Sequence, residues 1–199
     1  MYKLCKTEQS AVRQREIEGH FLALIEAKSF DTVTVSELCA RAEMPRKAFY
    51  RYFDSKEDIV LALIDHTLAG YEGYAQSRTS GAQRTVTSEL EMFFDFWCEG
   101  ESRRVLVTIM KNALEGYLIQ RSISFSTTEM KSLKKFMSSD SGDMPKHVMR
   151  FVITGLMTVM LSWFKDGCRE TSREMARVAQ RLVAEPLFPN LESYGILKE

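Results

Sequence analysis

The chain has little with which to build a sheet. Only 4 of its 199 residues are proline, no Asn-Gly pair occurs, and no stretch sustains the two-residue alternation of a half-buried strand. Cysteine is also sparse. Cys5, Cys39, Cys98 and Cys168 stand far apart with no CxxC pair, and His20, His66 and His147 lie away from them, so no metal site is expected. There is no Gly-rich phosphate loop, no Gly-x-Ser-x-Gly elbow and no His-Glu-x-x-His pair, which leaves no catalytic residue to name and no cofactor to expect. Lys3, Lys6, Glu8 and Arg13 interrupt any apolar leader, and the longest apolar run, Phe151 to Phe164, falls short of the ~20 residues a bilayer span needs. The expectation is a cytoplasmic protein with reduced thiols and no membrane partner, its apolar run a buried helix. Charge of one sign is lacking too: 27 basic residues balance 27 acidic ones. Net charge therefore neither favours nor excludes nucleic acid, for which a local basic face suffices.

What recurs is helical spacing. Ile17, Phe21, Leu24 and Ile25 form a stripe over 8–28, and Leu61, Ile64 and Leu68 form another over 55–76. Further helices are expected near 83–98, 102–111, 113–137, 145–166 and 172–187, with a boundary at Ser77–Gly81 and a loop at Ser138–Asp143. The fold class is all-α.

The informative stretch is Thr34 to Phe53. Thr34 with Glu37 makes a capping box that starts a helix at Val35, and Val35, Leu38 and Ala42 give that helix an apolar face. Pro45 disfavours helical geometry at Met44 yet suits the first turn of a new helix. The pattern is a short helix, a tight turn and a second short helix whose Phe49 and Phe53, with Met44, can pack on the first. That second helix offers Arg46, Lys47, Tyr50 and Arg51, residue types that read base edges or grip phosphates. Ser55, with Asp58 three residues on, caps a third helix, and Lys56 adds a full charge to its N-terminus. Between 41 and 56 the cations Arg41, Arg46, Lys47, Arg51 and Lys56 face only Glu43 and Asp54.

This region resembles the TetR family of transcription regulators over roughly residues 11–64. The family pattern appears as Thr34-Val35-Ser36-Glu37-Leu38-Cys39, then Ala42-Glu43-Met44-Pro45, Phe49-Tyr50-Arg51-Tyr52-Phe53 and Asp54-Ser55-Lys56-Glu57. Phe151 to Leu156 followed by Trp163 to Gly167 is similar to the family's penultimate, dimerising helix, and Ser172 is a candidate cap for the last one. Two positions depart from the pattern. Glu43 replaces the usual turn Gly, where a left-handed backbone costs a non-Gly residue about 1 kcal/mol, which allows a differently shaped turn. Pro45 replaces the usual Ser cap.

The resemblance implies an N-terminal three-helix helix-turn-helix DNA-binding domain, 1–55, joined to a helical effector-binding and dimerisation domain, 56–199. It implies a homodimer on a double-stranded DNA operator, acting as a repressor and released by a small apolar or amphipathic effector of unstated identity. The candidate DNA contacts are Thr34, Ser36, Arg46, Lys47, Ala48, Tyr50, Arg51, Tyr52 and Lys56. The cluster Phe93, Phe94, Phe96 and Trp97 reads either as ordinary core or, as Phe93, Phe94 and Trp97 with Met110, Leu114, Tyr117, Met160 and Phe164, as the wall of an effector pocket. The helix 145–166 is apolar nearly all round, so it is either central to a monomer or shared with a twofold partner. The dimerisation candidates are Phe151, Gly155, Leu156, Val159, Trp163, Met175, Val178 and Leu182. Tilting the helix 55–76 would change the spacing of two readers, which must enter successive major grooves ~34–36 Å apart. Two other readings stay open: a helix-turn-helix module that binds only protein, and an enzyme whose dyad assembles only in three dimensions, with Cys98 beside Glu99 and Glu101.

Overall fold

A computed structural model describes residues 2, 3, 5, 7–78, 85–128 and 146–184. Among these residues there is no strand. Helix α1 (Glu8–Ala27) starts at Thr7, whose Oγ1 accepts the Ser10 amide at 3.2 Å. A 3-10 turn (Phe30–Thr32) leads to α2 (Val35–Arg41), α3 (Arg46–Phe49) and α4 (Lys56–Arg78). Helices α5 (Val86–Cys98), α6 (Gly100–Lys111), α7 (Glu115–Thr128), α8 (Lys146–Lys165) and α9 (Ser172–Ala184) make the C-terminal part. The expected loop at Ser138–Asp143, the end of the expected helix 113–137 and most of the boundary at Ser77–Gly81 lie outside the described residues.

Local chemistry sets the ends of these helices. Thr85 and Ser88 form a reciprocal capping box at α5. At α9 the cap is Thr171, not Ser172: Thr171 Oγ1 accepts the Glu174 amide at 3.3 Å, while Glu174 Oε2 accepts the Thr171 amide at 2.8 Å. Three helices stop in the same way, with one amide reaching five residues back and the preceding one three. The pairs are Met44 to Cys39 and Glu43 to Ala40, Leu114 to Ile109 and Ala113 to Met110, and Cys168 to Trp163 and Gly167 to Phe164. Each stop needs a left-handed residue, supplied by Glu43, Ala113 and Gly167. Gly100, at φ +55°, lets α6 leave α5 after a single linking residue.

The predicted stripe on α1 is buried throughout: Ile17, Phe21, Leu24 and Ile25. On α4 the stripe understates burial. Ile59, Val60, Ala62, Leu63, Ile64 and Leu68 are all buried, because α1, α5, α6 and α7 pack around that helix. Helix α9 lies along α5, and α8 along α7. One continuous apolar core runs from Ile17 to Ala179. His147–Lys165 is long and apolar enough by composition to cross a membrane, and 33% of that stretch is buried. The expected buried helix thus has a core side, with Met149, Ile153, Met157 and Met160, and an open side, with Val148 and Phe151.

Candidate nucleic-acid interface

The reader is built around a tight turn. Thr34 Oγ1 accepts the Glu37 amide at 3.2 Å and starts α2. The Glu37 carboxylate instead bonds Lys28 Nζ at 2.5 Å, so among the described contacts the predicted box is made on one side only. Glu43 takes φ +48°. The turn therefore keeps its left-handed shape despite lacking glycine, which corrects the alternative that the sequence left open. Arg13 Nη2 donates to the Ala42 carbonyl at 2.8 Å and ties the turn to α1. Pro45 stands at the N-cap of α3, where its carbonyl accepts the Ala48 amide at 2.8 Å. Helical turns continue past α3: the Tyr52 amide bonds the Phe49 carbonyl and the Phe53 amide does the same.

Burial orients this segment. Leu38, Ala42, Met44, Phe49 and Phe53 point inward. Thr34, Ser36, Arg46, Lys47, Tyr50 and Arg51 are exposed, and Ala48 and Tyr52 are half-buried. Arg46 Nη2 donates to the Tyr50 hydroxyl at 3.3 Å, so these two side chains stand side by side. Among the described residues Arg41, Lys47 and Arg51 are exposed and make no ion pair, so their charge is open to solvent.

Lys56 is a correction. Its Nζ donates to the carbonyls of Phe30 at 2.8 Å, Asp31 at 3.2 Å and Val33 at 3.3 Å, and lies 4.3 Å from the centre of the Phe30 ring. With its three hydrogens so placed, the ammonium is a clamp on the 3-10 turn rather than a free phosphate ligand. Ser55 Oγ does accept the Asp58 amide at 3.3 Å, while Asp58 Oδ2 accepts the Asp54 amide, one residue earlier than a standard box.

Residues near the N-terminus brace the reader. The Lys3 amide donates to the Tyr52 carbonyl at 2.9 Å, and its Nζ bonds the Tyr50 carbonyl at 2.5 Å and Asp54 at 2.9 Å. Next to it Tyr2 donates to Asp65 Oδ2 at 2.7 Å, and Arg121 Nε donates to Asp65 Oδ1 at 2.6 Å. Burial, first, and the Asp65 carboxylate, second, push the Tyr2 phenol up. No sequence signal could have found these contacts, since each spans 47 residues or more.

The C-terminal candidates divide. Phe94, Trp97, Leu114 and Met160 are buried core, and Phe93, Met110, Tyr117 and Phe164 are half-buried against it. None of the eight lines a cavity of about 650 Å3 that opens between α1, α4 and the α5–α6 corner. Of the dimerisation candidates, Phe151, Gly155, Val178 and Leu182 are exposed, and Leu156 and Val159 are half-buried. Trp163 and Met175 correct the expectation. They turn into their own subunit, and the Trp163 ring meets Phe94 edge-on at 5.5 Å.

Comparison with known proteins agrees with this geometry. Residues 22–63 match the family described as bacterial regulatory proteins, tetR family. Residues 102–185 match a transcriptional regulator C-terminal region, and the two matches together cover more than half of the chain. An HTH-type transcriptional regulator, EthR, from Mycolicibacterium smegmatis is 34% identical over 76 residues, which span 36% of this chain and 35% of that protein. Two solved structures share the fold. One is the fatty acid degradation regulator FadR of Bacillus halodurans (TM-score 0.55, 14% identity, 92% of this chain and 98% of the other). The other is a tetR-family regulator of Streptomyces coelicolor (TM-score 0.53, 20% identity, 87% and 79%). A third, the dihydroxyacetone kinase operon activator DhaS, has TM-score 0.52 at 15% identity, over 95% and 99%.

Proposed function

This chain belongs to the tetR family of bacterial regulatory proteins and is a helix-turn-helix transcriptional regulator, and we propose that it is a repressor whose hold on its operator is released by a small effector. The observation that carries the reading is an exposed cationic surface on both sides of the left-handed turn: Arg41 ends α2, Arg46, Lys47, Tyr50 and Arg51 lie on or just after α3, and among the described residues Arg41, Lys47 and Arg51 make no ion pair. Such a face gives phosphates and base edges their counterparts. The proposed contacts are Thr34, Ser36, Arg46, Lys47, Ala48, Tyr50, Arg51 and Tyr52. Lys56 acts behind them by holding the turn.

The proposed division assigns residues 1–55 to DNA reading and 56–199 to effector binding and dimerisation, with α4 as the connecting helix. A twofold partner would cover Phe151, which is 67% exposed, with Val148, Val178 and Leu182, and complete a four-helix interface from α8 and α9. The effector would be apolar or amphipathic and would bias the tilt of α4 only by its different affinity for the two arrangements. The chain would work in the cytoplasm and without catalysis. Because a structural relative is named an activator, the sign of regulation is decided by a reporter assay and not by the fold.

The test is a titration of labelled duplex from the region upstream of the chain's own coding sequence, repeated across salt concentrations. The affinity should fall steeply and linearly on logarithmic axes as counterions compete. Absence of binding even at low salt would end the reading.

A further inference from the structure

The carbonyls at the end of a helix lack intrahelical partners and take donors from elsewhere. At the end of the recognition segment, residues 46–53, Lys3 supplies two of them. Its amide donates to the Tyr52 carbonyl at 2.9 Å and its Nζ to the Tyr50 carbonyl at 2.5 Å, and the same ammonium pairs with Asp54 Oδ1 at 2.9 Å. The Lys3 carbonyl in turn accepts Gln14 Nε2 at 3.3 Å, while Gln14 Oε1 accepts Cys5 Sγ at 3.1 Å. Gln14 lies on α1 and is buried, so its amide pins the segment to that helix.

Tyr2 carries the connection onward. Its hydroxyl donates to Asp65 Oδ2 at 2.7 Å, and its ring meets that of His66 edge-on at 6.1 Å, both residues on α4. Arg121 on α7 grips the same carboxylate with a fork, Nε donating to Oδ1 at 2.6 Å and Nη2 to Oδ2. Asp65 Oδ2 therefore accepts from Tyr2 and Arg121 together. The Asp65 side chain is 12% exposed, which limits screening by salt. The recognition segment is thus tied to α4 twice. One tie is the chain itself, through Asp54 and Ser55 into Lys56. The other meets α4 at Asp65, nine residues beyond Lys56 and ~14 Å along the axis. One tie leaves a hinge; two so far apart fix an angle.

We propose that Tyr2 and Lys3 are positioning residues for the reader, and that Arg121 sets their hold on it through Asp65. Arg121 and Tyr2 share one carboxylate, so a movement of α7 that withdraws the guanidinium also alters the acceptor that anchors Tyr2. The recognition segment then loses its second tie and is free to turn about Asp54 and Ser55. Helix α7 packs along α8 as well as α4, which gives changes in the C-terminal part a route to the reader besides the tilt of α4. Neither Tyr2 nor Lys3 has to touch DNA. The consequence for operator affinity rests on the regulator reading, whereas the mechanical link does not.

The experiment has two arms, both on the full chain. Hydrogen exchange without DNA follows the amide of Lys3, whose acceptor is the Tyr52 carbonyl, and those of Arg51, Tyr52 and Phe53. Tyr2→Phe and Arg121→Gln should each speed exchange there by at least about tenfold, the scale of a lost hydrogen bond to a charged group. The double variant should be no faster than the more affected single one, because both act on one carboxylate. Glu115→Gln, which breaks a different α7 ion pair, with Lys165 at 3.4 Å, should leave these amides unchanged. The second arm titrates duplex from the region upstream of the chain's own coding sequence. Binding should weaken by about threefold or more in Tyr2→Phe and Arg121→Gln, but not in Glu115→Gln. Unchanged exchange in Arg121→Gln, or additive effects in the double variant, overturns the link. Faster exchange with unchanged DNA affinity overturns the positioning role. If Arg121→Gln does not fold, Tyr2→Phe, which removes one oxygen, decides by both readouts. If the parent binds no duplex, the regulator reading fails, and the exchange arm still decides the link.

Discussion

Asn112, the last residue before the turn that follows α6, accepts the Phe30 amide on its Oδ1 at 2.7 Å. Its Nδ2 donates to the Ile25 carbonyl at 2.9 Å. One side chain thus satisfies two backbone groups just beyond and within the end of α1, 82 and 87 residues away. Arg104 joins it from the same helix, gripping Glu26 through two bonds of 2.6 and 2.9 Å, and Lys111 Nζ bonds the Glu26 carbonyl. Helix α6 is therefore fastened to the C-terminal end of α1, directly behind the reader.

Asn112→Ala should strand the Phe30 amide and the Ile25 carbonyl and cost about 1–3 kcal/mol. Urea unfolding measures it. An unchanged midpoint would show that water replaces the amide without loss.

Lys47 and Lys56 should behave oppositely. Lys47→Ala should lower the slope of log affinity against log salt by about 1, with the unfolding midpoint unchanged. Lys56→Met removes the donor to three carbonyls, and should cost about 1.5–3 kcal/mol of stability while leaving the salt slope in place. A changed slope for Lys56→Met, at full stability, would return that residue to the DNA surface.

Glu43→Gly should raise stability by up to about 1 kcal/mol, because glycine takes a left-handed backbone without the Cβ clash. Thermal unfolding of the two proteins side by side tests this. A loss of stability would mean that the unfolded-chain entropy of glycine outweighs the strain.

Phe151→Glu should convert a dimer into a folded monomer, seen by sedimentation, since an unpaired charge in an apolar interface is costly. Trp163→Ala should act differently, costing about 3–5 kcal/mol of folding stability through the cavity left against Phe94. A parent protein that is already monomeric at micromolar concentration would remove the interface.

The Glu26–Arg104 pair should show in the acid limb of stability. The Arg104 guanidinium, by hydrogen bond and by charge, holds the Glu26 carboxyl below its ordinary 4.5. A carboxyl depressed on folding stabilises the native state above its unfolded value, and that contribution disappears as pH falls through the lower, folded value. Arg104→Gln should therefore be less stable than the parent at neutral pH, and the gap should close below about pH 4.5, the carboxyl's ordinary value. A gap independent of pH would assign the loss to packing.

The reader was legible in the order of its residues because its determinants are local. A cap at Thr34, a proline at 45 and apolar residues three and four apart act within one or two helical turns, so spacing alone places α2, α3 and the exposed Arg46, Lys47, Tyr50 and Arg51. The handedness of the turn at Glu43 was not legible, because the usual glycine is missing there; two backbone bonds over six residues impose it in the folded chain. Apolar periodicity placed the long helices, with ends shifted by a few residues where caps such as Thr171 compete with neighbours.

Only the tertiary structure could decide which face of an apolar helix turns inward and where a long side chain ends. Trp163 and Phe151 are equally apolar in the sequence, yet one is 4% and the other 67% exposed, because α8 packs on α7 and α9 and the Trp163 ring meets Phe94, while Phe151 stands on the open side. Lys56 has the composition of a phosphate ligand, and its fate depends on the carbonyls of Phe30, Asp31 and Val33, which the fold brings within reach of a flexible four-carbon stem. Glu18 looks like one more acidic residue on an amphipathic helix. Its burial beside His66 follows from α4 crossing α1, a contact between residues 48 apart that no local spacing encodes.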